Sequence, residues 1–217
     1  MTTRVPKQDR SRATRQRLLE SAIGCLVRYG WTATTMAVVA EHAGVSRGAA
    51  QHHFPTREDL ITVALEFMFD GRMARITDTS DLPAGPGRTE AVVMRIVEYF
   101  TDPLFKAALQ VWTAAAADES LKQRITPLEA KFGRTVHHVT VTLLDIDDTD
   151  PQAHRLVQAT LDLARGLGLA DLLTDDSARR KQIVRQWAAT LDAALKTSAD
   201  TFRSAATGEA PAGGQPA

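Results

Sequence analysis

The chain has little of what disulfide-stapled domains, thiolate metal sites and membrane proteins require. Its 217 residues include one cysteine, Cys25, which excludes a disulfide framework, and we expect that thiol to be buried as a small hydrophobe. No run approaches about 18 consecutive apolar residues, so the sequence predicts no transmembrane helix. The first residues are polar and basic and lack the apolar stretch of a secretion signal. We therefore expect a cytoplasmic protein.

Recognisable catalytic and metal-binding patterns are also missing. The sequence contains no evident nucleophile–base pair and no glycine-rich phosphate loop, which leaves an enzyme as a remote alternative. The adjacent His137 and His138 would point about 100° apart on a helix and cannot easily bind one ion. The acidic run at 145–150 lacks the glycine and the terminal glutamate of a calcium loop. We predict no catalytic residues, no metal and no cofactor.

The formal net charge is zero, but the charges are unevenly distributed along the chain. Residues 1–57 contain nine Lys/Arg against three Asp/Glu, so the remainder is acidic by the same margin. A basic end joined to an acidic body indicates that only the first part binds a polyanion such as nucleic acid. A solvated basic tail is the alternative.

Apolar residues recur at steps of three and four, and no alternating strand pattern is present, so the sequence predicts an all-α protein. After a flexible basic arm at 1–9, a helix from about 10 to 29 should end at Gly30. Two short helices follow, joined by a turn at Gly44, with Thr34 or Thr35 capping the first and Ser46 the second. This arrangement is a helix-turn-helix.

The rest of the chain is also predicted to be helical. A capping box at Thr56–Asp59 should begin a long helix that ends near residue 77. A Pro/Gly-rich loop covers 78–88, and Pro127 is expected to kink or split one of the later helices. A disordered tail is predicted for 198–217. The later helices are predicted at about 89–100, 102–117, 119–144, 150–173 and 177–197.

The run from Gly30 to Leu60 carries a recognisable set of residues at fixed spacing. These are an aromatic residue after the glycine, a Thr-Thr pair, the turn at 40–46, Gly48, a His-Phe pair at 53–54 and Thr-Arg-Glu at 56–58. Over about residues 11–62 this pattern resembles the DNA-binding signature of the TetR family of helix-turn-helix transcriptional regulators. Two positions depart from it: the family usually has a tyrosine in place of Gln51 and a larger aliphatic residue in place of Ala50. These departures put the operator sequence in doubt more than DNA binding itself.

The second helix of a helix-turn-helix lies in the major groove, with its first residues at base edges. Gly48 and Ala49 are small enough for close approach, and Arg47 can donate two hydrogen bonds to guanine or bind a phosphate. An alternative interpretation is that Ser46 serves only as a helix cap and that His53 is a structural histidine. Arg57 stands where the family usually has a lysine that holds the DNA backbone. The candidate DNA-binding residues are Thr34, Thr35, Ser46, Arg47, Gly48, Ala49, Gln51, His52, His53 and Arg57.

The resemblance implies a three-helix DNA-binding domain, here at 10–56, followed by a helical-bundle domain for ligand binding and dimerisation at 57–197. It implies a homodimer that represses transcription from a palindromic double-stranded operator and is released by a small, largely apolar effector. A DNA-binding activator or architectural protein without an effector is the alternative. The candidate ligand-binding residues are Phe69, Met73, Phe100, Phe105, Trp112, Phe132, His137, Val141 and Arg165. The candidate dimer-interface residues are Leu161, Gly166, Leu169, Trp187 and Leu191.

Overall fold

A computed structural model describes residues 7–207, and the side chains of 8–198, as nine helices without a strand. This confirms the all-α prediction. The helices are α1 (Lys7–Ala33), α2 (Met36–His42), α3 (Arg47–His53), α4 (Arg57–Ile76), α5 (Arg88–Thr101), α6 (Pro103–Ala116), α7 (Glu119–Leu144), α8 (Pro151–Ala170) and α9 (Ser177–Thr207).

Two predicted boundaries are wrong at the ends of the chain. α1 begins at Lys7, so residues 7–9 are helical and do not belong to a flexible arm. α9 continues to Thr207, past the predicted end at residue 197. Ser198 explains part of this extension, because its side chain is buried and donates a hydrogen bond to Asp150. The remaining parts of the predicted arm and tail, 1–6 and 208–217, lie outside the described residues.

Capping side chains fix several helix starts. Asp102 accepts a hydrogen bond from the backbone N–H of Phe105 (3.1 Å), and the proline that follows it occupies the first turn of α6. The same Asp-Pro arrangement begins α8. Pro127 lies inside α7 and does not split it, whereas the alternative expectation of a kink stays a prediction. The residues Ile125 and Leu128 on either side of it are buried.

The helices form two compact units, and α7 contributes to both. Of the described residues, the first unit contains 7–76 and 102–135, in which α1 packs against α2, α4 and α6. Its core combines side chains from six helices, among them Leu26, Val39, Ala50, Val111 and Ile125. The helix-turn-helix therefore shares one core with α4, α6 and the first part of α7. The functional domain boundary at residue 57 stays a prediction.

The second unit contains the described residues 77–101 and 136–207, in which α5 packs against α8 and α9. Its buried side chains come from all three helices and include Ile96, Val157 and Leu191. Arg88 donates a hydrogen bond to the carbonyl of Leu143 at 3.1 Å and so ties the start of α5 to the end of α7.

Candidate DNA interface and ligand-domain residues

The turn between α2 and α3 has the geometry that a helix-turn-helix requires. Gly44 has φ of 64°, in the left-handed region that glycine adopts without a Cβ penalty. The backbone N–H of Gly44 donates to the carbonyl of Glu41, and the N–H of Val45 donates to the carbonyl of Ala40, both at 3.0 Å. This pair of bonds is a Schellman motif, which ends α2 and redirects the chain.

Serine begins the predicted recognition helix. The Oγ atom of Ser46 accepts a hydrogen bond from the backbone N–H of Ala49 at 3.1 Å, so the predicted cap is present. Ala50 is the buried residue of α3, which explains why this position carries a small side chain. The helix is therefore held by one small buried contact and by its cap.

One face of α3 is open to solvent. Arg47, Gly48, Gln51 and His52 are exposed, as their predicted role requires, whereas Ala49 is half-buried. A Cβ atom added to Gly48 would meet nothing within 4 Å, so no described part of the chain covers that position. His53 is also half-buried, with its ring 6.5 Å from that of the buried Phe54. These exposures are compatible with DNA contact by the four exposed residues of α3, and that contact stays a prediction.

Thr34 is not available to DNA. Its side chain is 0% exposed, and its hydroxyl donates to the carbonyl of Gly30 at 2.7 Å. The prediction that Thr34 binds a phosphate is therefore wrong, because the chain uses this threonine to close its own turn. The neighbouring Thr35 is exposed and caps α2 by accepting a bond from the N–H of Val38 at 3.3 Å.

α1 is interrupted at Gly30, and the interruption is stabilised by Gln110, a residue that no sequence pattern marks. Gly30 has φ of 79°, so the N–H of Trp31 loses its place in the helical ladder. The side chain of Gln110, on α6, accepts from that N–H at 3.0 Å and donates to the carbonyl of Leu26 at 3.1 Å. A Cβ on Gly30 would lie 2.9 Å from the Gln110 Oε1 atom, so the contact also requires glycine.

Arg57 is held at the start of α4 by neighbours within the chain. Its guanidinium carbon lies 4.1 Å from the centroid of the Trp31 ring, and it forms an ion pair with Glu58 at 2.9 Å. The Arg57 side chain is 25% exposed. A cation held over an aromatic face in this way is pre-oriented, and its remaining exposed edge is what a phosphate could contact.

Asp59 completes the predicted capping box at the start of α4. Its carboxylate accepts from the backbone N–H of Thr56 at 3.2 Å, and its own N–H donates to the Thr56 hydroxyl at 3.0 Å. The hydrogen bond from the Thr56 hydroxyl, followed by the bond from Arg124, lowers the pKa of the Asp59 carboxyl. The carboxylate form is therefore favoured by both contacts.

The predicted ligand-binding residues fall into two sets, each within one unit. In the first, Phe69 is buried and stacks on Phe132 with ring centroids 3.8 Å apart, and Trp112 lies 6.3 Å from the same Phe132 ring. Met73 is buried and Phe105 half-buried in this unit. Three of the five aromatic and thioether side chains are thus brought together.

In the second unit, Arg165 lies 5.6 Å from the centroid of the buried Phe100 ring. Val141 is half-buried. His137 is within hydrogen-bonding distance of Asp148, at 2.9 Å. A role in ligand binding stays a prediction for both sets.

The predicted dimer-interface residues divide by exposure. Leu161 and Leu191 are 5% and 0% exposed within a single chain, so a second copy cannot reach them and their assignment to the interface needs correction. Trp187 is half-buried and donates from its indole nitrogen to Thr160 at 3.0 Å. Gly166 and Leu169 are exposed, as an interface requires.

Two interface candidates were missed by the sequence reading. Leu172 and Leu173, in the turn after α8, are 38% and 94% exposed, and Leu169 near the end of α8 is 58% exposed. The interface candidates came from the resemblance to a family and not from exposure, which is why they also included buried leucines. Among the described residues, no helix is both long and apolar enough to cross a membrane.

Comparison with known proteins gives relatives for the N-terminal part. The sequence model for bacterial regulatory proteins of the tetR family matches residues 18–64. The transcriptional regulator CymR from Pseudomonas putida is 29% identical over 124 residues, which are 54% of this chain and 58% of CymR. The transcriptional repressor KstR2 from Mycobacterium tuberculosis is 36% identical over 83 residues, which are 38% of this chain and 40% of KstR2. The matched segments thus span less than two thirds of either relative.

A solved structure extends the likeness to most of the fold. A transcriptional regulator from Saccharomonospora viridis, crystallised in complex with choline, superposes with a TM-score of 0.58 at 21% sequence identity. The superposition covers 80% of this chain and 94% of that protein. The tetR family model therefore covers the helix-turn-helix of this chain, and the helical layout of most of the chain is shared with a regulator of known structure.

Proposed function

We propose that the protein is a homodimeric repressor that binds a palindromic DNA operator through α3 and releases it when a small, largely apolar molecule binds. The observation that carries the proposal is the exposed face of α3, where Arg47, Gln51 and His52 surround the uncovered Gly48. The repressor named KstR2 supports the direction of the effect. The proposal assigns the chain no catalytic step and places its action on DNA in the cytoplasm.

Each exposed side chain of α3 has a role that fits major-groove recognition. Arg47 can donate a pair of hydrogen bonds to the O6 and N7 atoms of guanine, and Gln51 can form a similar pair with adenine. Gly48 lets the helix backbone approach the bases. Arg57, oriented by Trp31, would contact a phosphate and fix the register of the helix without reading sequence.

Dimerisation would place two such helices on one face of the DNA. Two copies of α3 must lie about 34–36 Å apart to enter successive major grooves. The exposed apolar surface formed by Leu169, Leu172 and Leu173, together with Gly166, is the part of the described chain that we assign to the interface. Burying it against a second copy removes apolar area from water, which favours association.

Ligand control requires a connection between the bundle and the recognition helix, and α4 provides one. Phe69 on α4 stacks on Phe132 of α7, and Lys131 beside it bonds Glu66 at 2.8 Å and Asp70 at 3.3 Å. A ligand that displaces the Phe132 ring would therefore move α4, which is separated from α3 by only three residues. A hundredfold preference of the ligand for the displaced state corresponds to about 2.7 kcal/mol. The choline complex of the Saccharomonospora viridis regulator supports small-molecule binding.

The experiment begins with selection of binding sites from a random pool of duplex DNA by the purified protein. We expect an inverted repeat to be enriched, and failure to enrich any repeat would overturn the proposal. Arg47→Ala should weaken binding to the selected duplex by about 1–3 kcal/mol. The matched control is Arg134→Ala, which removes an exposed arginine from α7 and should leave affinity unchanged. An Arg47→Ala protein that binds like wild type would remove α3 from the DNA interface.

The ligand part of the proposal is tested separately. A thermal-shift screen of small apolar and cationic compounds should find molecules that raise the unfolding temperature, and these should weaken binding to the selected duplex. Compounds that stabilise the protein without changing its DNA affinity would refute release by ligand while leaving the DNA-binding proposal intact.

A further inference from the structure

Two histidines and an aspartate from separate segments of the second unit meet at one point. His137 lies on α7, His154 on α8, and Asp148 in the loop between these helices. The Nε2 atom of His137 is 2.9 Å from Oδ1 and 3.1 Å from Oδ2 of Asp148. The Nδ1 atom of His154 is 3.0 Å from the same Oδ1.

The three side chains offer one ligand atom each within a small volume. These atoms all lie within 4.8 Å of one another, and the two imidazole rings have centroids 4.6 Å apart. Around a tetrahedral Zn²⁺ ion with ligand distances of about 2.0–2.1 Å, neighbouring ligand atoms are about 3.3 Å apart. The observed separations therefore need only small side-chain movements to enclose an ion.

Two other acidic residues of the loop, Asp147 and Asp150, have hydrogen-bond partners away from the histidines, whereas Asp148 lies against them. Asp147 accepts from the N–H and hydroxyl of Thr149 at 2.9 and 2.7 Å. Asp150 caps α8 through the N–H of Gln152 at 2.9 Å. Asp148 is the carboxylate of the three that faces the histidines, so the site does not depend on acidic composition alone.

The chemistry of the set also suits a metal ion. Two imidazole nitrogens with one carboxylate favour borderline cations such as Zn²⁺ over Mg²⁺ or Ca²⁺, which prefer oxygen ligands. The Asp148 and His154 side chains are 40% and 41% exposed, which leaves a path for the ion from solvent.

We propose that His137, Asp148 and His154 bind one divalent transition-metal ion of the Zn²⁺ class. The ion is held by three protein ligands, with water in the remaining position. It joins α7, the loop and α8, and thereby fixes the connection between two helices of the second unit. The two imidazole ligands are His137 and His154. His138 is excluded because side chains of adjacent residues on a helix point in different directions.

The test uses full-length, untagged protein treated with EDTA and then titrated with ZnCl₂ or CoCl₂. We expect one equivalent of Zn²⁺ to bind per chain and to raise the unfolding temperature, since a ligand that binds only the folded state stabilises it. Co²⁺ should give the visible absorption bands of a tetrahedral site. A stoichiometry well below one, or no change in unfolding temperature at saturating Zn²⁺, would overturn the proposal.

Three variants decide which residues bind. Asp148→Asn and His154→Gln each remove one ligand and should weaken Zn²⁺ binding at least about tenfold, or 1.4 kcal/mol. His138→Gln is the matched control, because it changes an exposed neighbouring histidine outside the cluster and should bind like wild type. Unfolding in EDTA checks that each variant folds. Equal weakening by His138→Gln and His154→Gln, or none by either ligand variant, would refute the assigned site.

Discussion

Ser46 allows the two roles of a residue at the start of α3 to be separated by experiment. Its hydroxyl accepts the bond from the N–H of Ala49, and its side chain is exposed. Ser46→Ala removes the cap and should cost about 1 kcal/mol, since no tertiary contact replaces it. For a protein of this length that loss lowers the unfolding temperature by about 2–4 °C. Ser46→Asp keeps a capping oxygen and should remain nearly as stable as wild type.

DNA affinity should follow a different order. An aspartate about 6 Å from a phosphate is repelled by about 0.7 kcal/mol in water, and by more where water is excluded. With two half-sites per dimer the Ser46→Asp protein should lose at least about 1.4 kcal/mol, or tenfold, in operator affinity. Ser46→Ala should lose less, because α3 stays folded in both the free and bound protein.

The assays are urea unfolding for stability and fluorescence anisotropy with the selected duplex at fixed salt, since salt alone changes such affinities. Ser120→Asp adds the same charge at an exposed position of α7 and controls for the change in net charge. An aspartate variant that binds DNA as tightly as wild type would show that the start of α3 does not face the phosphates. An aspartate variant less stable than the alanine variant would refute the capping argument.

Three further changes probe other parts of the chain. Gly48→Ala adds a Cβ in open space and should stabilise α3 by up to about 1 kcal/mol while weakening operator binding; a gain in stability with unchanged affinity would contradict close approach to DNA. Asp59→Asn removes a carboxylate whose pKa is lowered by Thr56 and Arg124, so above the ordinary aspartate pKa the variant should be less stable than wild type. This difference in stability should vanish as the pH falls through the lowered pKa of Asp59. Urea unfolding at a series of pH values measures the difference, and a difference that does not change with pH would argue against the prediction. Leu173→Asp changes a side chain that is 94% exposed and should give a folded monomer in sedimentation, whereas a persistent dimer would remove that residue from the interface.

The sequence predicted best where the interactions are local. Thr35, Ser46 and the Thr56–Asp59 pair bond to backbone groups three residues away, and each is found as expected. Their geometry depends on only a few dihedral angles, so residue type and position were sufficient. The Schellman turn at Gly44 follows for the same reason.

Prediction failed where the outcome depends on distant parts of the chain. Thr34 is buried because Gly30 breaks α1 and turns that threonine inward, and the break is held by Gln110 from α6. Leu161 and Leu191 were assigned to the interface by the resemblance, but their own unit already buries them. Nothing near these residues in the sequence distinguishes the two environments.

His137 shows how a local argument can be correct and still miss a site. Its neighbour His138 does point elsewhere, and this argued against a metal. The partners that make a cluster, Asp148 and His154, lie 11 and 17 positions further along, and only the folded chain places the ring of His154 4.6 Å from that of His137.

The two hydrogen bonds from Gln110 to the backbone of α1 affect how the protein can be cut into fragments. A fragment that ends after α4 would retain α1, α2 and α3 but would lose the side chain that satisfies the N–H of Trp31. During synthesis on the ribosome, the helix-turn-helix likewise lacks this hydrogen bond to Trp31 until α6 has emerged. A chimera with another bundle that also carries α6 should therefore be more stable than one that takes the helix-turn-helix alone.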